Sequence, residues 1–226
     1  MRMRWLIYIL PICLLLSCKK QVVTTNVKKV EALSKKSPLN KERLKENVLT
    51  CETCHGVEGL GEAGQEGFPK IANLRFEYIE KQLLDFKNKL RVDTEGVMSS
   101  MVEALSVDDI KDLALYFSNL PNKEIKRIDK KYDENVLLQG KWIAEMGLWE
   151  KGVPACFKCH GANAHGVAPF FPRLAGQHSD YIAKQLNSWK SGIRRNDINS
   201  MMKPIAVKLN ESEIHAVSIY LESIRM

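Results

Sequence analysis

Two short segments carry residues whose types and spacing can do chemistry. Cys51-Glu-Thr-Cys54-His55 sets two thiols three residues apart and an imidazole directly after the second. Cys156-Phe-Lys-Cys159-His160 repeats the pattern 105 residues later. Thiols one helical turn apart can each add S–H across a vinyl group of haem, and the adjacent imidazole then reaches the iron from the same side. Two other chemistries use paired cysteines. A structural zinc site needs four sulfur or nitrogen ligands, and each segment supplies two cysteines and one histidine with no repeated fourth candidate. A redox dithiol of the thioredoxin kind needs a βαβ setting, and no stretch here alternates as strands do. Two copies of the motif, each followed at nearly equal distance by a methionine, select covalent haem.

The duplication extends well beyond the motif. Phe68-Pro69-Lys70-Ile71 recurs as Phe171-Pro172-Arg173-Leu174, and Tyr78-Ile79-Glu80-Lys81-Gln82-Leu83 as Tyr181-Ile182-Ala183-Lys184-Gln185-Leu186. Met98, Leu105 and Tyr116 match Met202, Leu209 and Tyr220, and the offset drifts only between 103 and 105. Two homologous units therefore stand in tandem.

Each unit reads as all-α. Ile79, Leu83, Phe86 and Leu90 fall at a helical period, as do Ile182, Leu186, Trp189 and Ile193. So do Ile110, Leu113, Phe117 and Leu120, with Ile214, Val217, Leu221 and Ile224 in the second unit. Ser106 with Asp109, and Asn210 with Glu213, have the spacing of capping boxes. A few short helices in a unit of about 80–100 residues bury only a thin core, which argues for a large apolar cofactor filling the remainder. Trp142, Trp149 and Trp189 are expected in the core or at a haem edge, and His165, His178 and His215, unmatched in the first unit, on the surface.

The ordered set C-x-x-C-H-G, F-P-[KR]-[IL], Y-I-x-K-Q-L and M-x6-L resembles the dihaem class I cytochromes c of the cytochrome c4 type over about residues 41–226. The resemblance implies two tandem class I cytochrome c domains, each a small helical fold around one covalent c-type haem. Cys51, Cys54, Cys156 and Cys159 would form the thioethers, and His55 and His160 would be axial ligands of the iron. It also implies that the carbonyls of Pro69 and Pro172 hold those histidines from behind. For the sixth ligand each unit offers two methionines. Only Met98 and Met202 stay in register, each seven residues before the repeated leucine, whereas Met101 aligns with Ile205 and Met201 with Val97. Met98 and Met202 are therefore the expected axial methionines; the other two are expected to fill core. His/Met ligation leaves no open position on the iron and suits electron transfer.

The rest of the chain addresses and solvates this pair. In 226 residues, 45% hydrophobic and 27% charged, the formal charge is +7. Residues 18–45 hold +7 of it, residues 46–121 carry 7 basic against 14 acidic groups, and residues 122–226 carry 16 against 11. No basic face suited to nucleic acid emerges, and nucleic acid is excluded as a partner. Met-Arg-Met-Arg followed by an apolar run from Trp5 to Leu16 reads as a signal peptide over 1–17, too short to span a bilayer. Leu15-Leu16-Ser17-Cys18 resembles a lipoprotein cleavage site, with Cys18 as the lipidated residue. Lysine-rich residues 18–40 then form an anchor and flexible tether, ahead of domains at 41–121 and 122–226. The protein is thus expected in the periplasm or on the outer face of the cytoplasmic membrane, held there by lipid.

The family resemblance implies an electron carrier rather than an enzyme, taking single electrons from a membrane quinol-oxidising complex to a terminal oxidase or another periplasmic acceptor. The alternative is the cytochrome subunit of a periplasmic dehydrogenase. A dihaem peroxidase or thiosulfate-oxidising enzyme would need an exchangeable iron position or a cysteine ligand. Every cysteine outside the export segment is already assigned to haem.

Overall fold

A computed structural model describes residues 38–61, 68–121 and 131–225. By internal contacts the chain divides between Arg43 and Leu44, and both repeats lie in the part from Leu44 onward. The expected signal segment, Cys18 and nearly all of the expected tether lie outside the described residues.

The first repeat is built from α1 (Pro38–His55), α2 (Phe76–Lys87), α3 (Val97–Glu103) and α4 (Val107–Asn119). The second contains α5 (Glu134–Glu145), α6 (Phe157–His160), α7 (Ser179–Lys190), α8 (Met202–Ala206) and α9 (Glu211–Ser223). Among the described residues there are no strands, only isolated bridges at Leu148–Val153 and Val167–Phe171. Pro38 opens α1, at a position where the missing N–H costs nothing. Both capping boxes form. Ser106 accepts from the Asp109 amide while Asp109 accepts from that of Ser106, and Asn210 exchanges the same pair of bonds with Glu213.

The first core gathers Val48, Leu74, Ile79, Leu113, Ala114 and Phe117. The second gathers Ile143 and Ala144 of α5, Ile182 and Leu186 of α7, and Ile214, Val217 and Leu221 of α9, around Val153 and Leu209. Helices α5 and α9 cross at backbone distance. A Cβ on Gly140 would lie 2.1 Å from the Ala216 carbonyl oxygen.

Several expectations are corrected. Leu90 and Ile193 do not continue the helical stripes; they are 64% and 40% exposed. Lys89 (φ 58°) and Gly192 (φ 76°) adopt the left-handed conformation just past α2 and α7 and turn the chain away. The Leu90 amide then bonds back to the Asp85 carbonyl at 2.8 Å, an ending typical of helix C-termini. Trp142 and Trp149 are 60% and 70% exposed, so they are not core residues. His178 is half-buried rather than a surface residue. It packs against Gly61 of the first repeat, with Nδ1 3.6 Å from the Glu222 carboxylate and Nε2 buried without a hydrogen bond. His165 and His215 are exposed, as expected.

The repeats meet through a duplicated polar cluster. Arg91 donates to Gln82 of its own repeat (2.7 Å), and to the Tyr181 hydroxyl (3.0 Å) and Gln185 (2.9 Å) of the other. Arg194 mirrors it, donating to Gln185 (2.6 Å), Gln82 (3.1 Å) and the Tyr78 hydroxyl (3.4 Å). Asn196 adds bonds to Gln82 and Asp85, and the Gln177 side chain pairs with both backbone groups of Lys70. Both guanidiniums are buried. Burial, reinforced by the charge of Arg91, lowers the pKa of Arg194. Burial alone would raise the Tyr181 hydroxyl, but the two guanidiniums outweigh it and hold that group below its ordinary range.

Candidate functional site

Each motif sits where a helix ends. Cys51, Cys54 and His55 form the last turn of α1, while Cys156 caps the short α6 that contains Cys159 and His160. Gly56 (φ 75°) and Gly161 (φ 80°) follow at once in a conformation that L side chains rarely adopt, and reverse the chain. The reversals are pinned identically. Gly61 N–H donates to the His55 carbonyl and Gly166 N–H to that of His160, each at 2.7 Å.

The returning chain brings Phe68-Pro69 and Phe171-Pro172 over the imidazoles. His55 Nδ1 lies 2.8 Å from the Pro69 carbonyl oxygen, and His160 Nδ1 lies 2.8 Å from that of Pro172. A carbonyl can only accept, so Nδ1 carries the proton and Nε2 keeps its lone pair for a metal. The rings of Phe68 and Phe171 meet the imidazoles edge-on at 6.3 and 6.0 Å. Burial lowers the pKa of both histidines, more than the proline carbonyls raise it, and so favours the neutral, ligating form.

None of the four cysteines of the two motifs is in a disulfide. Burial pushes Cys51 and Cys156 up to about 11. Among the described residues no three His, Cys, Asp or Glu side chains gather into a group that could hold a metal ion by themselves. Thiols in pairs, each beside a buried neutral imidazole with a free Nε2, fit a macrocycle that brings its own in-plane metal ligands.

Met98 lies in the first turn of α3 and Met202 opens α8, and both are half-buried. Met101 and Met201 are 50% and 37% exposed, so neither fills core. The amide of Met98 donates to Asp93 Oδ2 at 3.1 Å, and that of Met202 to Asp197 Oδ2 at 2.7 Å. Sequence reasoning passed over these two acids, and over Arg91 and Arg194. The signal was available: Asp93 and Asp197 stand 104 residues apart, each five before its methionine, and the two arginines 103 apart.

The sequence profile of the family described as Cytochrome c matches residues 44–121 and again 147–225. The chain belongs to the cytochrome c family. It is 35% identical over 177 residues to the "Thiosulfate dehydrogenase electron acceptor" of Stutzerimonas stutzeri (strain A1501), covering 78% of this chain and 80% of that protein. It is 36% identical to "Cytochrome c4" of Pseudomonas aeruginosa over 179 residues, 78% of this chain and 85% of that one. The crystal structure of reduced recombinant cytochrome c4 from Pseudomonas stutzeri superposes with a TM-score of 0.71 at 34% identity, covering 81% of this chain and 98% of that one. The architecture is therefore two tandem cytochrome c domains of the cytochrome c4 type, all-helical, carrying two covalently bound c-type haems. The protein is a dihaem cytochrome c4-like electron carrier.

Proposed function

We propose that this cytochrome takes single electrons from a membrane quinol-oxidising complex and delivers them to a terminal oxidase or another periplasmic acceptor. Domains 41–121 and 122–226 each hold one haem: the first through Cys51, Cys54, His55 and Met98, the second through Cys156, Cys159, His160 and Met202. The observation that carries the dihaem part of this reading is the duplicated 2.8 Å bond from imidazole Nδ1 to a proline carbonyl, which fixes the tautomer and aim of each histidine. The donor and acceptor classes follow from the family resemblance. Bound haem supplies an iron that cycles between ferric and ferrous states. The protein's residues do the rest. Cys51, Cys54, Cys156 and Cys159 would hold the macrocycles through thioethers, and His55 with Met98 and His160 with Met202 would ligate the two irons. The hydrogen bonds to the Pro69 and Pro172 carbonyls would keep the histidines aimed. With both irons so ligated no open position would remain for substrate, which suits a carrier rather than an enzyme.

A second reading makes it the electron-accepting partner of a periplasmic dehydrogenase. It is favoured by the likeness to a thiosulfate dehydrogenase electron acceptor. The protein works outside the cytoplasm, tethered to a membrane by a lipid on Cys18. Among the described residues no helix is long and apolar enough to cross a membrane. The test is the reduced visible spectrum with and without carbon monoxide. Two haems per chain and no response to the gas are expected. A shift at one haem would show an uncapped iron and overturn the assignment of a methionine to it.

A further inference from the structure

The two methionine loops are anchored by the same acid but not by the same neighbours. In the first domain Asp93 accepts the Met98 amide on Oδ2, and the Ser99 amide (3.4 Å) and hydroxyl (3.3 Å) on Oδ1, all within its own loop. In the second, Asp197 Oδ2 takes the Met202 amide while Oδ1 takes the indole N–H of Trp189 from helix α7 at 3.2 Å. The guanidinium of Arg194 lies over that indole, 4.1 Å from its centre. The same guanidinium donates across the domain boundary to Gln82 and Tyr78. The first domain lacks this linkage. Arg91 lies over Phe86 at 4.5 Å, and a phenyl ring has no N–H to give.

We propose that Trp189 is a positioning residue that ties Met202, through Asp197, to the domain interface, so that methionine ligation at the second haem depends on contact with the first domain more strongly than ligation by Met98 depends on the second. The Met98 loop is tied to the second domain by the exposed Glu95–Lys184 ion pair at 3.2 Å, a weak link in solvent. The proposal rests on Met202 being an axial ligand. The geometry gives the linkage direction. Asp197 bridges a loop amide and a helix side chain, so the start of α8 is fixed relative to α7 rather than only to itself. Arg194 in turn fixes the indole plane by stacking on it while its own position is set by acceptors in the first domain. A hydrogen bond to a charged group and a stacked cation are both worth enough to alter a ligand equilibrium.

The experiment titrates the ferric dihaem protein with imidazole at fixed pH and follows the methionine-to-iron charge-transfer band, half of whose amplitude belongs to each haem. Met202→Ala and Met98→Ala assign the halves. Trp189→Phe keeps a ring beneath the guanidinium, as Phe86 does in the first domain, and removes only the N–H. Its expected effect is a gain of about tenfold in imidazole affinity at the second haem and less than twofold at the first. Arg194→Lys is expected to shift the same half by about threefold. Asp197→Asn, which cannot accept both N–H groups through its amide as the carboxylate does, should behave like Trp189→Phe and decides the matter if that variant fails to hold two haems. Unchanged affinity at the second haem in Trp189→Phe, or an equal shift at both haems, would overturn the proposal. If Met202→Ala left the band at full amplitude, the axial assignment would fail instead, a result distinguishable from the first.

Discussion

Gly140 offers a prediction in which two effects of opposite sign compete. Replacing a mid-helix glycine by alanine ordinarily stabilises a helix by about 1 kcal/mol, because glycine loses more backbone freedom on folding. Here the added methyl would sit 2.1 Å from the Ala216 carbonyl oxygen, 2.7 Å from its carbon and 2.7 Å from Tyr220 Cβ, against an ordinary contact of 3.4 Å or more. None of the three atoms is the end of a flexible side chain. Helix α5 must therefore back away from α9 by about 1 Å, opening the core at Ile143, Ala144 and Val217. Overpacking of this kind costs about 1–3 kcal/mol, and a backbone clash lies at or above the upper end. After the propensity gain, Gly140→Ala should destabilise the second domain by about 2 kcal/mol or more. Tryptophan fluorescence is a selective probe, because Trp142, Trp149 and Trp189 all belong to the second domain and the first, at 41–121, has none. The denaturant midpoint of that signal should fall at unchanged slope. A midpoint equal to or above the parent's would refute the close-approach reasoning and leave propensity as the governing term.

Met98→Leu and Met202→Leu should each open one iron to carbon monoxide and lower that haem's reduction potential, whereas Met101→Leu and Met201→Leu, at exposed positions, should leave the spectrum unchanged. The acidic balance of residues 46–121 and basic balance of 122–226 should give the first haem the lower potential, with a gap that narrows as salt is added; a site-assigned redox titration showing the opposite order would end that reading. Cys18→Ala should release the protein from membranes while both haems stay attached; a variant that still sediments with membranes would count against the lipid anchor.

The duplication carried most of what was legible in the sequence. A periodic apolar stripe identifies a helix but not its end. The stops after α2 and α7 are set by single left-handed residues, Lys89 and Gly192, and only the second is a glycine that advertises the turn. Hence Leu90 was counted into a stripe it does not join. The capping boxes were readable because their chemistry is local: Ser106 and Asp109 need only be three residues apart. His178 was misjudged for the opposite reason. Its environment is made by Gly61 and Glu222, distant in sequence, and absence of a counterpart in the other repeat says nothing about burial at an interface. The expectation of core or haem edge for Trp142 and Trp149 rests on side-chain type alone, and for Trp142 the helix α5 already buries Gly140, Ile143 and Ala144 on its other face.

The same reasoning explains why Y-I-x-K-Q-L is duplicated so faithfully. Ile79 and Ile182 are core residues, but Tyr78, Gln82, Tyr181 and Gln185 face the partner domain, where their oxygens receive the buried guanidiniums of Arg91 and Arg194. Each arginine spends its donors on acceptors from both repeats, so neither is satisfied by its own domain alone. A buried guanidinium left without acceptors is costly. Parting the domains would therefore expose or strand two charges at once, and the cluster favours a single docked arrangement. For a protein whose function is to pass electrons, that matters more than the stability the cluster contributes. The two redox centres are then held in one fixed relation, and the domains differ where identity is not required, at Phe86 against Trp189 and at the loop that each methionine occupies.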